Sequence, residues 1–359
     1  MFNDSDSLKY AYRKHFRKSV LVISAIIVLT AIIIIISLSI AQYPIGFTES
    51  YHIMFNHITN GAPGRTPYDS WFKDYLVWNL NIPRAIGGVA VGVILGVGGA
   101  IMQSIIKNPL ADPYTTGISS GALFGVTIYL VLGISVVPFA GSDLAQIMNA
   151  FIFALIPSAV IIFISSFKKT NPVMMVLIGI GVMYIFAAST TLLKFTSSSD
   201  TIADIYTWSI GSVGKITWGN LPIILGAMAF IIIMGMLFSK SLNVLSSGDN
   251  SALSLGVDPK KMRLISLIVV SIATAVAVCF TGTIGFVGLV APHIARTTVG
   301  SNMRYLLPCS GAVGGLMLIA ADCIARNAGS TGLPVGVITA LIGSPLFLYF
   351  LIRQKKSAW

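Results

Sequence analysis

Few residues in this sequence have side chains that could catalyse a reaction, and none is placed for it. Gly117-Ile-Ser-Ser-Gly121 fits the G-x-S-x-G pattern of hydrolases, but no histidine or carboxylate pair can be assigned to Ser119. His52 and His57 are five residues apart, which does not put them on one helical face as a metal pair. His293 is expected to form hydrogen bonds rather than to act as a ligand or a base. The sequence therefore predicts neither a catalytic site nor a metal site.

Nucleotide and thiol chemistry are also unsupported. The phosphate-binding pattern G-x-x-x-x-G-K-[ST] does not occur, so the chain has no P-loop of its own. The cysteines stand singly in apolar surroundings and lack C-x-x-C spacing, which argues against a disulfide framework or a zinc site. They are Cys279, Cys309 and Cys323. No cofactor is predicted for this chain.

Charged residues are rare: 10% of the chain is charged, 55% is apolar and the mean hydropathy is +0.86, as in membrane proteins. Asp322 and Arg326 are an exception in an apolar stretch, and their i,i+4 spacing predicts a local pair at the outer end of a helix. An ion-coupled secondary transporter would need ionisable residues near the bilayer midplane. Because nearly all other carboxylates fall in loops or at span ends, a secondary transporter is disfavoured. An intramembrane enzyme is disfavoured because the spans carry no paired catalytic residues.

Charge-free stretches of about 20 residues, the length that crosses a bilayer, recur along the chain. The first is interpreted as a retained span rather than a signal peptide, because no small-residue cleavage pattern follows it. The windows are 20–41, 85–106, 114–137, 144–167, 170–193, 216–239, 264–281, 305–321 and 333–352.

Basic residues set the orientation of these spans. They cluster before the first window, after the fourth at Lys168 and Lys169, after the sixth, and at the C-terminus with Lys355 and Lys356. All of these segments are predicted to be cytoplasmic. The net charge of +11 is thereby explained without nucleic acid.

Parity then requires one more span after the sixth, and the only candidate is Gly285–Val299. This stretch is short and carries Pro292, His293 and Arg296, so protein must shield it from lipid. We therefore expect an all-α polytopic membrane protein with ten transmembrane helices and both termini cytoplasmic. It forms a single domain, 1–359, with a cytoplasmic segment at 1–19, an external segment at 42–82 and a cytoplasmic loop at 240–263.

The segment 81–121 carries small residues at helical spacing. Gly88, Gly92, Gly96 and Ala100 recur every fourth residue, so one face of this helix carries almost no side chain and allows close helix approach. The helix is predicted to break at Asn108-Pro109. A second ridge follows at Gly117, Gly121 and Gly125.

The cytoplasmic loop 240–263 is the only inner loop long enough to fold into a surface element. A short helix is predicted there, with Ser247 or Asp249 as N-cap and Gly256 at its end. Its apolar residues, Leu253, Leu255 and Val257, suit docking of a partner. A solvated connector is the alternative interpretation.

Several sequence blocks together resemble the FecCD family, the permease subunits of type II ABC importers for iron–siderophore, haem and vitamin B12 uptake. The resemblance runs from about residue 20 to 352, in order and without large gaps. The blocks are 81–122 (with NPLADP), SLGV at 254–257, GTIGFVGLVAPHIAR at 282–296, LLP at 306–308, ADCIAR at 321–326 and LPVGVITALIGSPLFLYFL at 333–351.

This resemblance implies a multi-pass protein of the cytoplasmic membrane, embedded in lipid, that pairs with a second copy of itself or with a paralogue. Two ABC ATPase subunits that use ATP-Mg are expected below it, and a substrate-binding protein outside. Arg84 and Arg326 match the arginines that dock the binding protein. The residues matched to ATPase coupling are Ser247, Gly248, Asp249, Leu253, Leu255, Gly256 and Val257. Those matched to the translocation path and gate are Asn108, Leu110, Thr170, Asn171, Ile178, Val182, Phe186 and Ser189.

The sequence departs from the family pattern at Asn81, where many relatives have a further arginine, and at Asn250 and Leu253 in the coupling loop. The charges that pair with the binding protein and the ATPase are therefore expected to differ. The resemblance does not select a cargo, so siderophore, haem, corrinoid and oxyanion all stay open, with an iron complex favoured.

Overall fold

The computed structural model describes residues 3–40, 43, 45–138, 141–167, 171–329 and 332–353. Regular structure in these residues is helical throughout. The predicted cytoplasmic Lys168, Lys169, Lys355 and Lys356 lie outside the described residues, as does the predicted gate residue Thr170. The helices are α1 Asn3–Leu38, α2 Phe47–Asn60, α3 Tyr68–Tyr75, α4 Ile82–Ile106, α5 Ile118–Leu132, α6 Ser142–Phe167, α7 Pro172–Phe195, α8 Ser199–Ile210, α9 Leu221–Ser246, α10 Asp249–Ser254, α11 Pro259–Thr281, α12 Val287–Val299, α13 Met303–Asn327 and α14 Val335–Arg353.

The all-helical membrane fold predicted from the sequence is confirmed. Within the described residues, seven helices are long and apolar enough to cross a membrane, and two shorter apolar helices accompany them at Ile118–Leu132 and Val335–Phe350. The predicted count of ten is reached only if α12, with 13 residues, is added to these nine. That count therefore stays a prediction.

Helix α12 is too short to cross a bilayer alone, as its sequence indicated. Most of its residues are buried, including Pro292 and His293, and the His293 ring packs against Phe350 of α14 with centroids 4.7 Å apart. The protein thus shields this polar segment from lipid, which is the condition under which such residues are tolerated at membrane depth.

Helix α4 lies at the centre of the molecule. Its stretch is the most buried of the seven candidate spans, whereas the span of α1 is the least buried. A π-helical turn, Leu76–Asn81, joins α3 directly to α4. Helix α4 packs against α9, α11, α12 and α13.

Close helix approach on the small-residue face of α4 is confirmed. A Cβ added at Gly92 would lie 2.7 Å from the carbonyl carbon of Gly314 in α13, and one added at Gly96 would lie 2.9 Å from that of Ser310. The second ridge also allows close helix approach, because Gly121 of α5 faces the backbone of Phe153 in α6. Such contacts between backbones are how helices associate tightly in lipid.

The segment predicted to be external folds back on itself through side-chain contacts between α2 and α3. His57 of α2 lies 2.9 Å from the Asp74 carboxylate of α3, and Lys73 lies 2.8 Å from Glu49. The His57 ring also stacks on Trp78 with centroids 4.2 Å apart. The His57 ring is thus held between a carboxylate and an indole ring of the same segment.

Candidate functional site

A buried ion cluster lies where the N-terminal end of α4 meets the C-terminal end of α13. Asp322 is fully buried and accepts hydrogen bonds from Arg326 Nε at 2.8 Å, which confirms the predicted i,i+4 pair. Its other donor was not foreseen: Arg84 of α4 donates through Nε at 3.0 Å and Nη2 at 2.6 Å. One carboxylate therefore holds two arginines from two helices.

Arg326 also caps the C-terminal end of α1. Its Nη1 donates to the carbonyl oxygens of Ser37 at 3.1 Å and Ile40 at 3.3 Å, and to Asn81 Oδ1 at 3.2 Å. Carbonyls at a helix C-terminus lack partners within the helix, so a buried guanidinium suits them. Asn81 in turn donates its side-chain amide to Leu38 O at 3.0 Å.

Arg326 thus donates hydrogen bonds within the chain through Nε and Nη1, its Nη2 lies 2.6 Å from Asp322 Oδ2, and its side chain is only 5% exposed. The docking role expected for Arg326 stays a prediction, and it would require this residue to leave the cluster. Arg84 is more accessible, with 22% of its side chain exposed.

A cavity of about 630 Å³ opens beside the cluster. Three cationic side chains line it, those of Arg84, Lys215 and Arg326, together with aromatic groups such as Phe72 and Trp208. None of the described residues that line it is a carboxylate. The cavity therefore suits an anionic group. Sequence reasoning missed Lys215, which is a single lysine in an external segment with no motif around it.

In the loop 240–263, which is predicted to be cytoplasmic, α10 forms the expected short helix. The predicted N-cap is wrong, because Gly248, with φ at +116°, occupies that position and offers no side-chain cap. Asp249 is instead the first helical residue, and its carboxylate pairs with Lys107 and Arg263. Two charged donors compete better for this carboxylate than a backbone N–H does.

The rest of the coupling segment divides into an outward and an inward part. Leu253 and Leu255 are 59% and 67% exposed, while Val257 is partly buried against the core. Ser247 caps the end of α9, and Gly256 follows α10 with φ at +81°. Two leucines thus project from a compact turn, as expected for a docking element.

The exposed face of helix α7 is not the face that carries the residues of the predicted translocation path. Phe186 is buried and packs against Phe124, with ring centroids 5.2 Å apart. Ile178, Val182 and Ser189 share its half-buried face, and the Ser189 hydroxyl bonds to Ile185 O of its own helix. The exposed face carries Leu177, Gly181, Tyr184, Ile185 and Leu192. The path through Phe186 would require this side chain to leave its packing.

The predicted gate turns are well defined where the structure describes them. Asn108 Oδ1 accepts from the Leu110 N–H at 2.9 Å, and Leu110 is exposed. Asn171 caps α7 by accepting from the Met174 N–H at 2.8 Å. Polar side chains thus bond the backbone at both turns, and the gate role of Asn108, Leu110 and Asn171 stays a prediction.

The match to known sequences is extensive. The model of the FecCD transport family matches residues 29–353. The chain belongs to the FecCD transport family. It is therefore a multi-pass membrane permease of the ABC importer class, in which the ATPase is a separate subunit.

Similar proteins include the hemin transport system permease protein HmuU of Yersinia pestis, 33% identical over 90% of this chain and 95% of that protein. The cobalamin import system permease protein BtuC of Halobacterium salinarum is 36% identical over 78% of this chain and 74% of that protein. A solved inward-facing metal-chelate type ABC transporter superposes with a TM-score of 0.79, at 28% identity over 92% of this chain and 99% of that chain.

Proposed function

We propose that this chain is the translocating subunit of an ATP-driven importer that carries a metal chelate, most favourably an iron complex such as a siderophore or haem. The observation that carries the proposal is the pair of surfaces at the two ends of α4. A cationic cavity lies at the N-terminal end of α4, and the exposed leucines of α10 lie near its C-terminal end. A chain of this kind takes up cargo at one face of the membrane and is moved by the ATPase at the other face.

The cargo class is supported by similar proteins named for hemin, iron(3+)-hydroxamate and metal-chelate transport. Relatives named for cobalamin make a corrinoid the second candidate, and an oxyanion remains a third. The exposed face of α7 is apolar or small, with Leu177, Gly181 and Ile185. A lining of this kind lets a large cargo pass without holding it, so selectivity would reside in the external binding protein.

The proposed assembly has two copies of this chain, or one copy with a paralogue, in lipid. Two ABC ATPase subunits bind ATP-Mg below, and the exposed face of α7 is the candidate for the shared path. A binding protein docks outside, with a carboxylate at the cationic cavity.

Reconstitution with the cognate ATPase and binding protein in proteoliposomes tests this function. We expect ATP-dependent uptake of ferric hydroxamate or haem by the wild-type complex. Leu255→Asp should abolish most of it, because burying a leucine contributes about 1.5–3 kcal/mol and a loss of 1.4 kcal/mol is about tenfold in affinity. Leu255→Met is the matched control and should keep uptake. If the complex takes up cobalamin but neither iron complex, the proposed cargo is wrong and a corrinoid takes its place. If Leu255→Asp takes up cargo at the wild-type rate, α10 does not contact the ATPase as proposed.

The docking surface is best tested at Lys215. Arg84→Glu would place a second carboxylate beside buried Asp322 and disturb the fold, whereas Lys215 is exposed. Lys215→Glu should weaken binding-protein association by about fivefold at physiological salt and by more at low salt. Lys194→Glu, outside the cavity lining, is the control. Equal dissociation constants for both variants, measured by surface plasmon resonance, would contradict docking at this cavity.

A further inference from the structure

The carboxylate of Asp249 receives donors from two other parts of the chain. Arg263 of α11 donates through Nη1 to Oδ2 at 2.9 Å and through Nη2 to Oδ1 at 2.7 Å, a two-pronged contact. Lys107, which ends α4, donates through Nζ to Oδ1 at 2.8 Å. The hydrogen bonds from Arg263, and then from Lys107, hold the pKa of the Asp249 carboxyl at about 2, so it is ionised at neutral pH.

Arg263 carries this connection into the core. Its side chain is 5% exposed, and its Nε donates to Ile105 O at 2.9 Å. Ile105 lies in the last turn of α4, where carbonyls lack partners within the helix. Lys107 follows in a left-handed conformation, with φ at 55°, and thereby turns its side chain out of the helical path. Helices α4, α10 and α11 thus meet at one carboxylate.

These ion pairs link the surface element to the most buried span. Apart from them, α10 is held by buried Ala252 and by the backbone turns at its ends. The other end of α4 carries Arg84, which is bonded to Asp322. Helix α10 therefore has a direct polar connection to α4, the other end of which lies in the ion cluster around Asp322.

We propose that Asp249 is the positioning residue that fixes α10 to the cytoplasmic ends of α4 and α11, so that movement imposed on α10 is carried to α4. The role rests on the proposed function, because it assigns the coupling step of the importer to a particular carboxylate. Asp249 does not touch ATP or cargo. It acts by keeping Arg263 and Lys107 on the same element that meets the ATPase.

The number of cargo molecules imported per ATP hydrolysed distinguishes this role from a general stabilising one. In the full reconstituted complex, with ferric hydroxamate as the probe, Asp249→Asn should lower this ratio about fivefold or more while ATP is still hydrolysed. Asp249→Glu keeps the charge and should restore most of the ratio. Asp258→Asn is the control, because Asp258 lies beyond the coupling segment and caps α11 through the Lys260 and Lys261 N–H groups.

Cross-linking provides a second measurement that does not depend on the stability of Asp249→Asn. In a background without Cys279, Cys309 and Cys323, Lys107→Cys with Asp249→Cys should lower the ratio, and a short bifunctional thiol reagent should restore it. An unchanged ratio in Asp249→Asn, or a cross-link that leaves the ratio low, would overturn the proposal. Absence of import in the wild-type complex would instead overturn the proposed function, so the two failures are distinguishable.

Discussion

Asp322→Asn should destabilise the protein by about 3–5 kcal/mol, the usual cost of removing one partner from a buried ion pair. Asp322 is fully buried, and Arg84 and Arg326 both bond to it. Without the carboxylate, two guanidinium groups face each other with no counter-charge. The asparagine keeps the shape of the side chain, so the effect would report charge rather than lost packing.

Thermal unfolding in detergent, followed by size-exclusion or intrinsic fluorescence, measures this effect. Asp204→Asn is the matched control, since Asp204 is exposed on α8 and forms no ion pair among the described residues. We expect its unfolding temperature to stay near the wild-type value. If both variants unfold at the same temperature, the buried cluster contributes little to the stability of the protein, and Arg84 and Arg326 bond to other groups when the Asp322 carboxylate is removed.

Half of this cluster could be predicted from the sequence. The i,i+4 spacing of Asp322 and Arg326 places both on one helical face, and the pair is present. Arg84 is 238 residues away from Asp322 along the chain, and no local pattern links them. The same limit applies inside, where Lys107 and Asp249 are 142 residues apart. Local spacing finds contacts within a helix, whereas contacts between helices depend on the packing of the whole bundle.

The membrane fold itself was largely predictable because hydropathy and basic flanks act residue by residue. The capping residues at the helix ends were less predictable. Ser247 and Asp249 are good capping residues by type, yet Gly248 takes the N-cap position because Asp249 is engaged by Arg263. The faces of α7 were also ambiguous, since its residues before Lys194 are all apolar or small and the periodic pattern that marks a buried face is weak.

Glycine positions show the same division between what spacing predicts and what packing decides. The predicted ridge correctly included Gly92 and Gly96, which meet α13. It ended at Ala100, although the tightest approach to α12 occurs one residue earlier, at Gly99. Gly99 lies off the four-residue repeat, so spacing alone does not identify it. Its close contact arises because α12 begins at Val287 and places the backbone of Gly288 against it.

Gly99→Ala is expected to prevent normal packing of α12 against α4. The added Cβ would overlap the carbonyl oxygen of Gly288 and lie 2.6 Å from its carbonyl carbon. Both partners are backbone, so no rotamer change relieves the overlap and the helices must separate. Overpacking typically costs 1–3 kcal/mol and more where relaxation is blocked, so we expect about 3 kcal/mol or more.

Gly226→Ala in α9 is the matched control, because a Cβ there meets no atom within 4 Å. This change should be neutral or should stabilise the chain by about 0.4–1 kcal/mol, since alanine has less freedom than glycine when unfolded. The unfolding temperatures of the two variants in detergent should therefore move in opposite directions or differ widely. Similar temperatures for Gly99→Ala and the wild-type protein would mean that α12 does not approach α4 through Gly288. The shielding of His293 and Arg296 from lipid would then need another structural explanation.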